Sequence, residues 1–151
     1  MKRIVLPIIT IVILSTGCVQ NRMSSMADID NNISATQKEQ YTIDKTENDC
    51  ISKEYSTQGI DECTFKAIDA WNKEIDKYLA LLKNITSKED YENIQLSQQK
   101  WESYKNSEII VYGLIQQKQG TMFQNISTGF QKNLIKQRAL NLKSLYETLQ
   151  N

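Results

Sequence analysis

The sequence predicts an all-α fold: a small helical bundle or hairpin of about three long helices, preceded by a short N-terminal helix stapled by a disulfide. Three observations predict it. Apolar residues recur at spacings of three, four and seven, the periodicity of one helix face and not the alternation of a strand. Turn-like groups at 56–59, 86–87 and 120–123 divide these periodic stretches. Two cysteines, Cys50 and Cys63, flank the first of those groups.

Composition limits the size of the domain and the chemistry open to it. A chain of 151 residues allows one modest domain plus appendages. Its formal net charge is zero, so nothing in the total suggests nucleic acid. It contains no His, which removes the commonest general base and metal ligand. Three Cys are an odd number, so one of them is expected to have a separate role.

The N-terminus has the order of an export signal. Lys2 and Arg3 precede an apolar run of eleven residues, 4–14, too short to span a bilayer comfortably. Small residues then lead to Cys18, and this resembles the bacterial lipobox, whose Cys is acylated and becomes the mature N-terminus. Leu14 lies four residues before Cys18 instead of the preferred three. An ordinary signal peptide with a chance Cys and an uncleaved anchor are the alternatives.

This interpretation divides the chain into a signal peptide (1–17), a lipidated N-terminus with a flexible tether (18–43) and a folded domain (44–151). The tether is assigned because its residues are mostly polar and keep no sustained apolar period. Acyl chains on Cys18 would hold the protein on a membrane. Val19, where Asp favours inner-membrane retention, points to the outer membrane if the cell is Gram-negative.

Export would place Cys50 and Cys63 in an oxidising compartment, where a disulfide between them is expected. It would tie a short helix, about Glu47 to Tyr55, to the start of the first long helix. A loop of this size contributes about 3 kcal/mol in the chain-entropy model. Two free thiols or a metal site are the alternatives, but two Cys without His make a poor ligand set.

The first long helix is predicted from about Ile60 to Leu82. Ser56 or Thr57 could cap its N-terminus. A capping box then follows, in which the Thr86 side chain bonds the Glu89 amide while Glu89 reaches back. That box starts the central helix.

The central helix, which should end near Gly120, is expected to organise the domain, with Trp101 in the middle of its apolar stripe. Gln98 and Glu108 lie on or beside the same stripe. A polar group buried there needs a partner, so we expect contact with a polar residue of another helix.

The last helix is predicted to resume by about Ser127, and Arg138 lies on its apolar stripe. A pair between Arg138 and Glu108 would satisfy the polar group on the central helix. The alternative is that either side chain reaches water. The expected core contains Trp71, Trp101, Tyr104, Phe130 and Leu142.

Together these residues resemble the LprI-type lysozyme inhibitor family, the DUF1311 domain of secreted bacterial proteins, over about Asn48 to Leu149. That family has a Cys, a turn and a second Cys that opens a helix. Its segment Gln-x-x-Trp-x-x-Tyr-Arg-Asp-x-Glu-Cys and its closing Leu-Thr-x-x-Arg-x-x-x-Leu are matched by Gln98, Trp101, Tyr104, Glu108, Leu134, Arg138 and Leu142.

The chain departs from the family pattern at four positions. Ile109 and Phe130 stand where the family often has a second disulfide, and a packed contact between them is expected to replace it. Lys105 and Asn106 replace the family's Arg and Asp, which puts any role of that charged pair in doubt.

The resemblance implies a membrane-anchored envelope protein that binds and inhibits lysozyme-type muramidases without chemistry of its own. The chain has no Gly-rich phosphate loop and no Ser in a recognisable elbow, so we expect no catalytic residue, metal or cofactor. The alternative is a structural or interaction lipoprotein of the cell envelope, or an immunity protein, with a different protein or cell-wall partner. Inhibitor contact residues are not assigned.

Charge separates the two halves of the predicted domain. Residues 44–92 carry twelve acids against seven Lys, a net charge of −5, and residues 93–151 carry a net charge of +4. An acidic half would steer a basic lysozyme toward itself. Alternatively, the asymmetry is chance or serves contact between the protein's own halves.

Overall fold

A computed structural model describes residues 35–151, with side chains from Thr42 onward. These residues form four helices, α1 (Ala35–Ile51), α2 (Thr57–Ile85), α3 (Lys88–Gln116) and α4 (Met122–Gln150), and no strand. The predicted all-α class, with a shorter helix before three long ones, is confirmed. In this part of the chain no helix combines the length and apolar character needed to cross a bilayer. The predicted signal peptide and Cys18 lie outside the described residues.

The core lies between α2 and α4. The fully buried apolar side chains that form it are Ile68, Trp71, Ile75, Tyr78 and Leu82 of α2 and Ile135, Ala139 and Leu142 of α4. On α2 these residues follow the three- and four-residue spacing of a single helix face, as the sequence predicts. The helix around which the domain is organised is therefore α2.

The expectation that the central helix, α3, organises the domain is wrong, because α3 contains no fully buried residue. Its Trp101 and Ile94 are partly buried and pack against the edge of the core. Tyr104 and Phe130, both predicted to be core, are 51% and 46% exposed. A helical stripe indicates that one side of a helix is apolar, but not how completely a neighbour covers it. The predicted core positions of Trp71 and Leu142 are confirmed.

Two side-chain caps define where the long helices begin. Ser56 Oγ accepts a hydrogen bond from the Gly59 amide at 3.0 Å and caps α2, as predicted. The second cap is Ser87 and not Thr86, since Ser87 Oγ accepts from the Asp90 amide at 3.1 Å. Helix α2 continues to Ile85, beyond its predicted end. Thr86 therefore closes α2, and its hydroxyl donates to the Leu82 carbonyl at 2.8 Å.

Helix α1 is longer than the sequence predicts. It begins at Ala35, inside the segment assigned to the tether, and ends at Ile51 instead of Tyr55. The predicted disulfide is present: Cys50 and Cys63 are bonded, with their Cα atoms 5.7 Å apart. This bond joins the last turn of α1 to the second turn of α2. Ile43 packs against the core from the same helix.

Candidate functional site

The residues of the family motif meet where α3 crosses α4. Arg138 of α4 donates from Nε to Gln98 Oε1 of α3 at 2.9 Å. Its Nη2 lies 3.4 Å from Ser97 Oγ. The guanidinium carbon is 5.8 Å from the centre of the Trp101 ring, within the range of a cation–π interaction. Gln98, Trp101 and Arg138 thus form one contact between two helices.

A second cation completes this cluster. The Lys105 ammonium lies 5.1 Å from the Trp101 ring centre and forms an ion pair with Glu102. Glu102 also accepts from Gln98 Nε2 at 3.0 Å. Burial lowers the pKa of Arg138 from its usual value, and the Glu102 carboxylate opposes this shift. The cluster is held by charge and aromatic contacts and clamps α3 onto α4. Lys105, at a position where the chain departs from the family, takes part in it.

The predicted pair between Arg138 and Glu108 is wrong, although a polar contact between the two helices does exist. Gln98 takes the place of Glu108. Ten residues separate these two positions, about 15 Å along a helix, so one side chain of α4 cannot serve both. Glu108 instead lies one turn from Tyr112 on its own helix and acts on the pKa of that residue. The pKa of Tyr112 is raised by burial first and then by the Glu108 charge and hydrogen bond, with a smaller contribution from Tyr104.

Phe130 contacts an aromatic ring of α3. It stacks on Tyr112, with ring centres 5.3 Å apart and an angle of 27° between the rings. Tyr112 lies one turn beyond Ile109, which is partly buried. An apolar contact therefore exists beside the position where the family often has a second disulfide. The specific contact between Ile109 and Phe130 stays a prediction.

Two ion pairs between α1 and α4 were missed by the sequence analysis. Lys132 Nζ lies 2.8 Å from Glu47 Oε2, with the two side chains 19% and 4% exposed. Lys136 Nζ lies 2.6 Å from Asp44 Oδ2. The sequence did contain a hint of these pairs. Two acids three residues apart lie on one face of a helix, and two bases four residues apart lie on one face of another, so the two faces can meet. These pairs join the acidic and basic halves, so part of the charge asymmetry serves contact within the protein.

A polar network at the N-terminal ends of α2 and α4 was also missed. Asn125 Nδ2 donates to Asp61 Oδ1 at 2.8 Å and to the Thr57 carbonyl at 2.9 Å. The Thr57 hydroxyl donates to Thr121 Oγ1 at 2.9 Å. Asp61 is only 3% exposed, and its Oδ2 has no hydrogen-bond partner. A short polar residue near a helix start predicts a cap, but not a bond to another helix start.

The solvent-facing side of α2 carries a row of acids at seven-residue intervals. Glu62, Asp69 and Asp76 are all exposed and lie along one line of the helix. Phe65, 47% exposed, lies between the first two. We call Glu62, Asp69 and Asp76 the acidic row. Lys66 and Lys73 are exposed beside it, so this face carries charges of both signs.

These features define a small, disulfide-linked helical domain whose polar clusters join its helices. The described part of the chain contains no group of three or more His, Cys, Asp or Glu placed to hold a metal ion. The family model for the lysozyme inhibitor LprI matches residues 34–142, and the chain belongs to this family.

Comparison with solved structures gives the fold. The chain is similar to an uncharacterized protein from Burkholderia thailandensis, with a TM-score of 0.66 and 23% sequence identity. The match covers 72% of this chain and 55% of that one, so this chain spans about half the length of the solved relative. No curated protein matches the sequence.

Proposed function

We propose that this chain is a lipid-anchored protein of the bacterial envelope that binds and inhibits lysozyme-type muramidases. The observation that carries the proposal is the match to the lysozyme inhibitor LprI family over residues 34–142. The inhibitor acts by occupying a surface of the enzyme and performs no chemistry of its own. Its motif residues support this role indirectly, because Gln98, Trp101 and Arg138 are engaged with each other and fix the shape of the α3–α4 face.

The acidic row on α2 is the surface that we assign to the first approach of a basic lysozyme. Its three carboxylates project into solvent along one line, where an attractive charge raises the rate of encounter and fixes orientation. Asp44 and Glu47 do not add to this attraction, because Lys136 and Lys132 neutralise them. The attraction assigned to the acidic row therefore acts locally, at its three exposed carboxylates, and Lys66 and Lys73 beside the row reduce it.

Anchoring rests on the sequence alone. Acylation of Cys18 after removal of residues 1–17 would leave the segment up to the start of α1 between the lipid and the folded domain. In a Gram-negative cell, Val19 favours the outer membrane. Metabolic labelling with a palmitate analogue tests this directly: label is expected on the wild-type chain and not on Cys18→Ser.

Inhibition is tested with residues 18–151, carrying Cys18→Ser and an intact Cys50–Cys63 disulfide, assayed against hen-type and bacterial muramidases. We expect sub-micromolar inhibition that weakens as salt rises, since salt screens exposed charges. Asp69→Lys should weaken inhibition more than Glu92→Lys. Glu92→Lys is the control, because it makes the same change of charge at an exposed position on α3, outside the acidic row. Equal effects of the two variants would remove the acidic row from the proposal.

Absence of inhibition of every muramidase tested, by a chain shown to be helical and oxidised, would overturn the inhibitor function. The envelope interaction or immunity alternative would then be preferred, and partners would be sought among envelope and cell-wall components.

A further inference from the structure

Helices α3 and α4 expose a set of large apolar side chains that nothing in the described part of the chain covers. These are Tyr104 (51% exposed), Ile110 (75%), Val111 (52%) and Leu114 (59%) on α3, and Met122 (60%), Ile126 (39%) and Phe130 (46%) on α4. We call these seven residues the apolar face. Four of the seven lie on α3, which buries no side chain fully although it is as long as α2 and α4.

The members of the apolar face are neighbours along each helix. Ile110 and Val111 lie four and three residues before Leu114, so all three project from adjacent parts of α3. Met122, Ile126 and Phe130 are four residues apart and form a row on α4. Phe130 connects the α4 row to α3, because it stacks on Tyr112.

The α3 part of this face presents small groups between the apolar ones, and Glu108 lies at its edge, four residues after Tyr104 and three before Val111. Ser103 and Ser107 lie on it. Ser103 is four residues before Ser107, and Ser107 is three residues before Ile110. Their hydroxyls donate back to the carbonyls of Gln99 and Ser103, both at 3.1 Å. Because these hydroxyls already donate within their own helix, they need no acceptor on another protein. Their small side chains also allow another helix to approach α3 closely. Two identical surfaces built mainly of apolar side chains can pair by burying those side chains, without charge complementarity.

The size of the face fits association between proteins. At about 150 Å² each, the low end of the range for an aromatic side chain, the seven exposed fractions amount to roughly 600 Å². Soluble monomers rarely expose contiguous apolar patches beyond a few hundred Å². A stable interface buries about 800 Å² per partner. The exposed area thus lies at the upper end of what a monomer leaves in water and amounts to about three quarters of one side of a dimer interface.

We propose that the apolar face is a self-association surface, through which a second copy of the chain packs α3 against α3 about a twofold axis. In such a pair both copies use the same surface, so the interface closes after two chains. The acidic row lies on α2, outside the α3 helices that pair in this dimer. This inference does not depend on the inhibitor function.

The test is sedimentation velocity of oxidised residues 18–151 carrying Cys18→Ser, over a range of concentrations. We expect a monomer–dimer equilibrium. Leu114→Lys should raise the dimer dissociation constant at least tenfold. Leu149→Lys is the matched control, because it changes the same residue type at similar exposure (53%), about 28 Å further along α4 than Phe130. It should leave the dissociation constant unchanged.

A second variant keeps the test decisive if Leu114→Lys misfolds by circular dichroism. Ile110 is the most exposed member of the face, so Ile110→Lys should leave the fold intact and weaken association to a similar degree. A wild-type chain that stays monomeric at high micromolar concentration would overturn the proposal. So would a dimer that neither substitution weakens. Binding of phospholipid vesicles by a monomeric chain, lost in Leu114→Lys, would overturn it in favour of a membrane-contacting face.

Discussion

Arg138 donates from Nε to Gln98 Oε1 across the α3–α4 contact, and this bond is the place where the family motif on the central helix meets the motif on the last one. Its guanidinium is held on one side by an amide and lies over the Trp101 ring. This contact stabilises the angle at which α3 lies on α4.

Replacing Arg138 should therefore destabilise the protein. Arg138→Ala removes a hydrogen bond from a charged donor, which contributes about 1.5–3 kcal/mol, together with a cation–π contact. Since the site is only partly buried, we expect a loss of about 2 kcal/mol in the free energy of unfolding. Urea denaturation followed by circular dichroism measures it. Gln137→Ala, at the exposed neighbouring position, is the control and should change stability little. Equal losses in the two variants would contradict the clamp.

The two tryptophans should differ in their contribution to stability. Trp71 is 2% exposed at the centre of the core, so Trp71→Ala should cost about 3–5 kcal/mol. Trp101 lies at the edge of the core and is partly exposed, so Trp101→Ala should cost less, about 2 kcal/mol. Unfolding free energies of the two variants give the order. If Trp101→Ala proved the more damaging, α3 and not α2 would be the organising helix.

The buried ion pair between Glu47 and Lys132 should be sensitive to removal of one partner. Glu47→Gln leaves the Lys132 charge partly buried without its carboxylate, a change that typically costs about 3–5 kcal/mol. Asp44→Asn is the matched control on the same helix. Asp44 is more exposed, 32% against 4% for Glu47, so its loss should be clearly smaller. Thermal unfolding of both variants measures the difference. Equal shifts in melting temperature would show that burial is not what makes the Glu47 pair important.

Alkaline pH should weaken the fold through Tyr112. Because the pKa of Tyr112 is raised in the folded state, the folded chain holds the phenol proton more tightly than the unfolded chain. The resulting stabilisation is fully present below the ordinary tyrosine pKa of 10.0 and is lost as the pH rises through the folded-state pKa. Urea denaturation between about pH 8 and pH 11 should show this fall in wild type. Tyr112→Phe should show less of it.

Glu108→Gln separates the causes of this shift. Burial of Tyr112 remains in this variant, but the carboxylate charge and its hydrogen bond are removed. The pKa of Tyr112, followed by ultraviolet absorbance, should move back toward its ordinary value without reaching it. No movement would mean that the Glu108 carboxylate does not act on Tyr112.

The sequence predicts features that depend on neighbours along the chain. The spacing of Trp71, Ile75, Tyr78 and Leu82 defines a helix face whatever covers it, and Ser56 caps a helix through an amide three residues away. The disulfide was also predictable, because only two cysteines remained once Cys18 was given a separate role. These conclusions needed only local geometry and counting.

Features that depend on how two helices align were predicted less well. Arg138 was expected to have a polar partner on α3, and it has one. The residue is Gln98 and not Glu108, because periodicity along each helix does not fix the register between two helices. The same limit explains why Lys132 and Lys136 were not matched with Glu47 and Asp44. The exposure of Tyr104 and Phe130 depends on which helix occupies the space beside them.

The disulfide also determines how the domain responds to mechanical force. A pull on the chain from the N-terminal side of α1 reaches α2 through the sulfur–sulfur bond at Cys63, and the turn between the two helices carries none of the tension. The force therefore enters α2 inside the helix, two turns before the buried Trp71, and not at its first residue. Such a pull does not peel α2 from its N-terminal end, and it also loads the ion pairs that Lys132 and Lys136 make with α1.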